Sequence, residues 1–323
     1  MTGRTGRPGR ATLTAAVLAA AAVTAAGCTA PAASQKPASQ QSAGQQSAGQ
    51  RPASQAAGRP AAGTCDPEAS SPAPSRSPGA YVARIRARGY LIAGVDQSTY
   101  HFGFLNPTDG KIEGFDIDMV DAVAQAIFGA SYQSRIQFKA ISDADRVPAL
   151  QSGAVDIVAH TMTITCQRLR QIDFSSVYYD ARAELLVLSD SAATGLADLK
   201  GQNVCATSGS DDVAVIARYH ARPVQARYWT DCLVDLQQGQ VAGIVTDDSI
   251  LHGLSAQDPF TRIIARPLES EPYGLGISKA HGDFARFVNG VLARIRASGQ
   301  WKADYTHWVG GPAPAPPAAH YAA

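Results

Sequence analysis

The sequence predicts an α/β protein whose strands form parallel sheets. Three observations carry this. Short apolar runs, LIAGV at 91–95 and VDIVA at 155–159, each end in a polar loop, and amphipathic stretches stand between them. The stretch FDIDMVDAVAQAIFG puts Ile117, Val120, Ala124 and Ile127 on one helical face and stops at Gly129. After a break at 189–195 the alternation starts again with ADLKGQNVCATSGS, so two units of the same kind follow one another.

Taken in order, the chain opens with Arg4, Arg7 and Arg10 ahead of an alanine-rich apolar run. Residues 1–27 read as a secretory signal, too short and too weakly hydrophobic for a spanning helix. The sequence Ala25-Ala26-Gly27-Cys28 resembles a bacterial lipobox. Cys28 would then carry lipid and hold the protein on the extracytoplasmic face of the cell membrane; an ordinary cleavage site is the alternative. Residues 28–79 are Ala, Gln, Ser, Pro and Gly with almost no large apolar side chain, which predicts a disordered tether. The closing Pro/Ala segment 311–323 is expected to be disordered as well.

Between these ends, VARIRARG reads as a basic amphipathic helix and YLIAGVD as a buried strand. An aromatic, turn-rich loop follows, with Asn106-Pro107 and Asp109-Gly110 as turn signals. Residues 136–140 form another strand. The stretch 146–179 reads as helix, strand, polar turn, helix start and strand. AELLVLSD, VAGIVTDDSIL and EPYGLGISK are later strands, and the segment from FARFVNG to HWVG is one or two amphipathic helices.

The chain has 323 residues, with 28 Lys+Arg against 27 Asp+Glu. Near-zero net charge without a basic stripe speaks against a nucleic-acid partner. In parallel α/β sheets ligands sit beyond the C-terminal ends of strands. The loops in question hold Tyr100, Phe102 and Phe104, then Asp143 and Arg146, then His160, Thr161, Thr163 and Arg168. Hydroxyls, free N–H groups at a helix start and a guanidinium are what a carboxylate needs.

Five cysteines are present: Cys28, Cys65, Cys166, Cys205 and Cys232. With Cys28 set aside for lipid, four remain in an exported chain, and three connectivities are open. Cys205–Cys232 is favoured because both lie in the second α/β unit, which leaves Cys65 for Cys166. No Cys-x-x-Cys or Cys/His spacing points to a metal, and no cysteine has an evident histidine partner for nucleophilic work. Neither metal nor cofactor is expected.

The segments LIAGVDQSTYHFGF, IEGFDIDMVDAVAQAI, RVPALQSGAVDIVAHTMTITCQRLRQIDFSSVYY, ADLKGQNVCATSGS, QQGQVAGIVTDDSIL and EPYGLGISK, in this order, resemble the bacterial solute-binding proteins of ABC importers that bind polar amino acids. The likeness is strongest to actinobacterial lipoproteins for glutamate and glutamine, and it covers 81–309. It implies a periplasmic-binding-protein type fold: two lobes, each a sheet flanked by helices, joined by two crossover strands, with lobe I at 80–187 and 274–310 and lobe II at 188–273. It implies that Arg168 pairs with the ligand α-carboxylate alongside Thr161 and Thr163, and that Asp247 receives the α-ammonium. The plainer reading of Asp247 is an N-cap for the helix beginning at Ser249, a role Asp248 could take instead. Thr207, Gly209 and Ser210 match the turn that closes over the ligand. Arg146 matches the arginine that meets a side-chain carboxylate in glutamate/aspartate binders. Asp96 stands where those proteins have a second arginine, and a protonated His160 is the residue placed to substitute for it. Tyr100, Phe102 and Phe104 are expected to wall the pocket. The implied partners are free glutamate or aspartate, or else glutamine, and a membrane permease; a sensor and, on the strength of Asp96 and Asp143, a dehydratase are the rival readings.

Overall fold

The computed structural model describes residues 65–322; Cys28 and the rest of 1–64 lie outside them. In the first lobe the chain runs α1 (Ala80–Arg88), β1 (Leu91–Val95), β2 (Ser98–Thr99), β3 (Gly103–Leu105), β4 (Ile112–Glu113), α2 (Phe115–Phe128), β5 (Ile136–Ala140), α3 (Arg146–Gln151), β6 (Ile157–Ala159), α4 (Cys166–Leu169) and β7 (Asp173–Phe174). It crosses on β8 (Tyr179–Leu188) into β9 (Asn203–Thr207), α5 (Asp212–Arg218), β10 (Arg222–Ala226), α6 (Trp229–Gln237), β11 (Ile244–Asp247) and α7 (Asp248–Gln257). It returns on β12 (Thr261–Tyr273) to β13 (Gly276–Ile277), α8 (Gly282–Ser298) and α9 (Gln300–Trp308).

Two five-stranded sheets result, ordered β5-β1-β6-β13-β7 and β10-β9-β11-β8-β12. Parallel pairing dominates where helices intervene: β1 with β5 and β6, and β9 with β10 and β11. Both are α/β layers, but mixed rather than parallel throughout: β13 pairs antiparallel with β6 and β7, and β8 antiparallel with β11 and β12, because β8 and β13 are each entered from the preceding strand without a helical crossover. The face of α2 read from the sequence is the buried one, since Ile117, Val120, Ala124 and Ile127 are all at most 4% exposed. The crossover strands β8 and β12 pair antiparallel with each other from Tyr179↔Tyr273 to Leu188↔Thr261. Because β8 also pairs with β11 over Ala183–Leu186, it belongs to the second sheet. The expected lobe boundary at 187/188 therefore moves back to the start of β8. EPYGLGISK, expected as one strand, divides at Gly274 between β12 and β13, because one part pairs in each sheet.

The ends depart from expectation too. Residues 65–79 have no regular secondary structure but are fastened to the first lobe. The Ser71 hydroxyl donates to Phe174 O, Asn289 Nδ2 donates to Ser71 Oγ and Pro72 O, and Ser75 N–H donates to Arg286 O. Pro317 is buried, Ala313 packs on the first core, and Ala322 N–H donates to Ser71 O. Composition predicts disorder when apolar burial is the only source of order. Here polar side chains, above all the buried Asn289, satisfy the strap's backbone instead.

Both expected disulfides are formed. Cys205–Cys232 joins β9 to α6, and Cys65–Cys166 fastens the strap to the start of α4. Among the described residues no helix is long and apolar enough to cross a membrane.

Candidate functional site

The corner after β6 is built by local capping. Thr165 caps α4, its hydroxyl oxygen accepting Arg168 N–H at 3.1 Å. Thr161 has φ +41°, uncommon for a branched residue. Asp116 at the start of α2 holds it there by accepting its N–H at 2.7 Å, while Tyr178 OH donates to the other Asp116 oxygen at 2.6 Å. Burial pushes the Asp116 carboxyl up from its ordinary value.

Arg168 Nη1 donates to Thr163 O at 2.7 Å, and its Nη2 reaches across to Gly209 O at 3.1 Å and Asp211 Oδ1 at 3.0 Å. Arg146 Nη2 also donates to Gly209 O, at 3.3 Å. Gly209 has φ +89°, and a Cβ there would stand 2.6 Å from Ala144 Cα. Only glycine lets the second lobe's turn approach the first lobe so closely.

Arg146 is buried in a setting the sequence did not disclose. Its Nη1 forms an ion pair of 2.8 Å with Asp143 Oδ1, both side chains being 4% exposed. Its other donors meet Asp143 O and His160 O. Asp143 also accepts the Thr207 hydroxyl at 2.7 Å, a bond between the lobes. Burial draws the Arg146 guanidinium below its usual value, and the Asp143 charge opposes that.

Asp247, at the end of β11, accepts the Tyr273 hydroxyl at 2.5 Å through Oδ2. The Ser210 hydroxyl donates to Asp212 at 2.5 Å. Burial, and then the neighbouring Asp212 charge, hold Asp247 well above the ordinary carboxylate range. Asp248 is the first residue of α7 and accepts Ser249 N–H and Arg182 N–H; the N-cap position is Asp247, whose side chain makes no cap bond, so neither aspartate fills the capping role.

These residues enclose a small cavity of ≈ 10 Å³ between the lobes. Asp143, Arg146, Thr161 and Thr163 line it from the first lobe; Ser210, Asp211, Asp212, Trp229, Thr246, Asp247 and Ile250 line it from the second. Five expected site residues, Arg146, Thr161, Thr163, Ser210 and Asp247, are thus brought together. Arg168, Thr207 and Gly209 stand at the closure beside them.

Five further expected residues lie outside the cavity lining. Asp96 accepts Gln97 N–H, Ser98 N–H and hydroxyl, and the Thr99 hydroxyl, so its carboxylate folds its own turn. His160 is 2% exposed with Nε2 on Ile141 O at 3.0 Å and Nδ1 turned toward Asp143, a structural position under the cavity. Phe102 is a core residue, edge-on to Phe115, Tyr179 and Tyr273. Tyr100 and Phe104 belong to a separate surface pocket with Trp308. Sequence reasoning missed Asp211, Asp212, Trp229, Thr246 and Glu271 and gave Asp143 no binding role. The acidic pair after Ser210 was the one visible signal.

Fold and cleft define a two-lobed α/β protein with a small, charged cavity between its lobes. The chain belongs to the bacterial extracellular solute-binding proteins, family 3, whose profile matches residues 91–311. It is 32% identical over 231 residues to the ABC transporter glutamine-binding protein GlnH of Bacillus subtilis, covering 71% of this chain and 84% of that one. It is 24% identical over 258 residues to the glutamate/aspartate import solute-binding protein of Escherichia coli, covering 76% and 84%. Among solved structures, a mutant of ArgBP from T. maritima matches with a TM-score of 0.67 at 27% identity, over 71% of this chain and 99% of that one.

Proposed function

We propose that the protein captures free glutamine outside the cytoplasm, anchored by lipid on Cys28, and presents it to the permease of an ABC importer. Its role is binding without chemistry, in keeping with relatives that are solute-binding proteins. Thr161 and Thr163 take the α-carboxylate together with Arg168, which exchanges its half-buried Asp211 partner for the ligand, and Asp247 takes the α-ammonium. Because these partners sit on different lobes, a bound amino acid holds the cleft shut.

The single observation behind glutamine is the Asp143–Arg146 pair. A free arginine would call for a ligand carboxylate, but this one already has its anion. At the end of the site a guanidinium N–H donor thus stands beside a carboxylate acceptor. A carboxamide matches both, its oxygen on Arg146 and its NH₂ on Asp143. A glutamate side chain would instead bring a second carboxylate against Asp143, with no charge left to balance it. The higher identity to a glutamine-binding relative than to a glutamate/aspartate one agrees.

Calorimetric titration with glutamine, glutamate, aspartate, asparagine and arginine tests this reading. Glutamine is expected to bind at least tenfold more tightly than glutamate, and a preference for glutamate would overturn the assignment. For the anchor, Cys28→Ser should move the protein from the membrane fraction to the medium; unchanged membrane retention would refute lipidation there.

A further inference from the structure

Three carboxylates from three elements meet beside the cavity: Asp212 opens α5, Asp247 ends β11, and Glu271 lies on the crossover strand β12. One oxygen of each lies within 4.8 Å of the others. All three residues are at most 4% exposed. Ser210 and Tyr273 hydroxyls occupy the second oxygens of Asp212 and Asp247. Among the described residues Asp212 Oδ1, Asp247 Oδ1 and Glu271 Oε2 receive no hydrogen bond.

Two further buried atoms say what belongs there. Thr246 Oγ1 and Trp229 Nε1, at 0% and 3% exposure, line the same cavity without partners. An indole N–H only donates, so it does not ligate a cation. The site therefore calls for one molecule carrying both a cationic donor group and an acceptor. An ammonium has three N–H donors, one for each unpartnered carboxylate oxygen.

The surroundings do not neutralise the trio. The two nearby cations are engaged, Arg168 with Asp211 and Arg146 with Asp143. His160 also faces Asp143, and Asp248 on α7 adds negative charge behind Asp247. From the other elements Thr163, Ser210, Ser249 and Tyr273 contribute hydroxyls. Like charges this close do not all ionise in a buried site, so the trio retains protons. Burial raises all three carboxyls above their ordinary values, and the Asp211 charge repels each of them; Asp212 adds to the repulsion on Asp247, and Asp212 and Asp247 both add to that on Glu271.

We propose that Asp212, Asp247 and Glu271 form a shared cage for the ligand's α-ammonium, and that each amino acid bound expels a proton from the cage to solvent. The inference rests on the amino-acid reading above. It adds Asp212 and Glu271 to the binding residues and places one contact on the hinge strand itself. The exchange balances: one ammonium enters the cage as one carboxyl O–H gives its proton to buffer, so the net charge of the cage is unchanged.

The test is titration of the purified protein with glutamine at pH 6, 7 and 8, in phosphate and in Tris, whose ionisation heats differ. About one proton should be released per glutamine, and Kd should tighten by about tenfold per pH unit. In Glu271→Gln, with folding checked by near-UV circular dichroism, fewer protons should be released and the pH slope should flatten. Asp212→Asn should behave likewise, guarding against a variant that fails to fold. Glutamine binding with no proton exchanged and a constant Kd overturns the cage but leaves the amino-acid reading standing. No heat with any amino acid overturns both. Calcium chloride raising the melting temperature of wild type but not of Glu271→Gln would make the trio a metal site and overturn the proposal.

Discussion

Replacing Asp143 by asparagine should convert the site toward glutamate. In the proposed site Asp143 and the ligand's distal group share the guanidinium of Arg146, which Asp143 already holds on one side at 2.8 Å. A ligand carboxylate on the other side would lie about 6 Å from Asp143. At an effective dielectric of about 20, two such charges repel by about 3 kcal/mol. That is roughly a hundredfold in affinity, and glutamine does not incur it. The asparagine carbonyl still accepts the Thr207 hydroxyl, now bonded at 2.7 Å. Arg146 keeps three carbonyl acceptors, Asp143 O, His160 O and Gly209 O. It loses its only paired anion, so thermal unfolding must be followed in parallel, because breaking a buried pair costs about 3–5 kcal/mol in unfavourable cases. The assay is calorimetric Kd for glutamate and glutamine, wild type against variant, at one pH and salt concentration. The glutamate-to-glutamine affinity ratio should rise about a hundredfold. A ratio within about threefold of wild type would refute the claim that Asp143 sets selectivity.

Other outcomes follow from the same geometry. Asp247→Asn should weaken amino-acid binding by roughly 30- to 1,000-fold, since a buried charged partner is removed, and competition against a fluorescent ligand would measure it. The Asp212 carboxyl is pushed up to about 8 by burial and by the Asp211 charge. Between the ordinary carboxylate range and that value the folded protein holds a proton that the unfolded chain has released. Stability without ligand should therefore fall as pH rises from about 5 to 8, and melting temperatures that rise instead would contradict this. The Cys205–Cys232 bridge closes 27 residues of chain, for which chain entropy predicts about 3.5 kcal/mol. The Cys205→Ala, Cys232→Ala protein should show that loss in denaturant titration.

How far the sequence discloses such a site depends on whether a residue's partner is local. The α2 face was legible because Ile117, Val120, Ala124 and Ile127 share one element, and its period fixes which side is buried. Arg168 and Asp247 were legible because each ends or opens a recognisable element. Asp96 was misread although its partners are its next three residues: a motif position was weighed, while the short hydroxyls at Ser98 and Thr99 that fold a turn around it were not. Arg146 and Asp143 are one helical turn apart, yet their pairing depends on the turn Asp143–Asp145 setting both on one side of the cleft. Glu271 was beyond local reading altogether. Nothing near EPYGLG announces that β12 will carry it to Asp212 and Asp247, 59 and 24 positions earlier in the chain. The same distance hid the straps, whose order comes from Asn289 and Cys166 rather than from their own composition. Composition counts charges without saying which are paired. Once Arg146 is seen to be neutralised, the acids outnumber the cations available to them. The Asp143–Arg146 pair turns the expectation of an acidic ligand toward a neutral amide, and the excess of acids holds the protons that its ammonium must displace to enter.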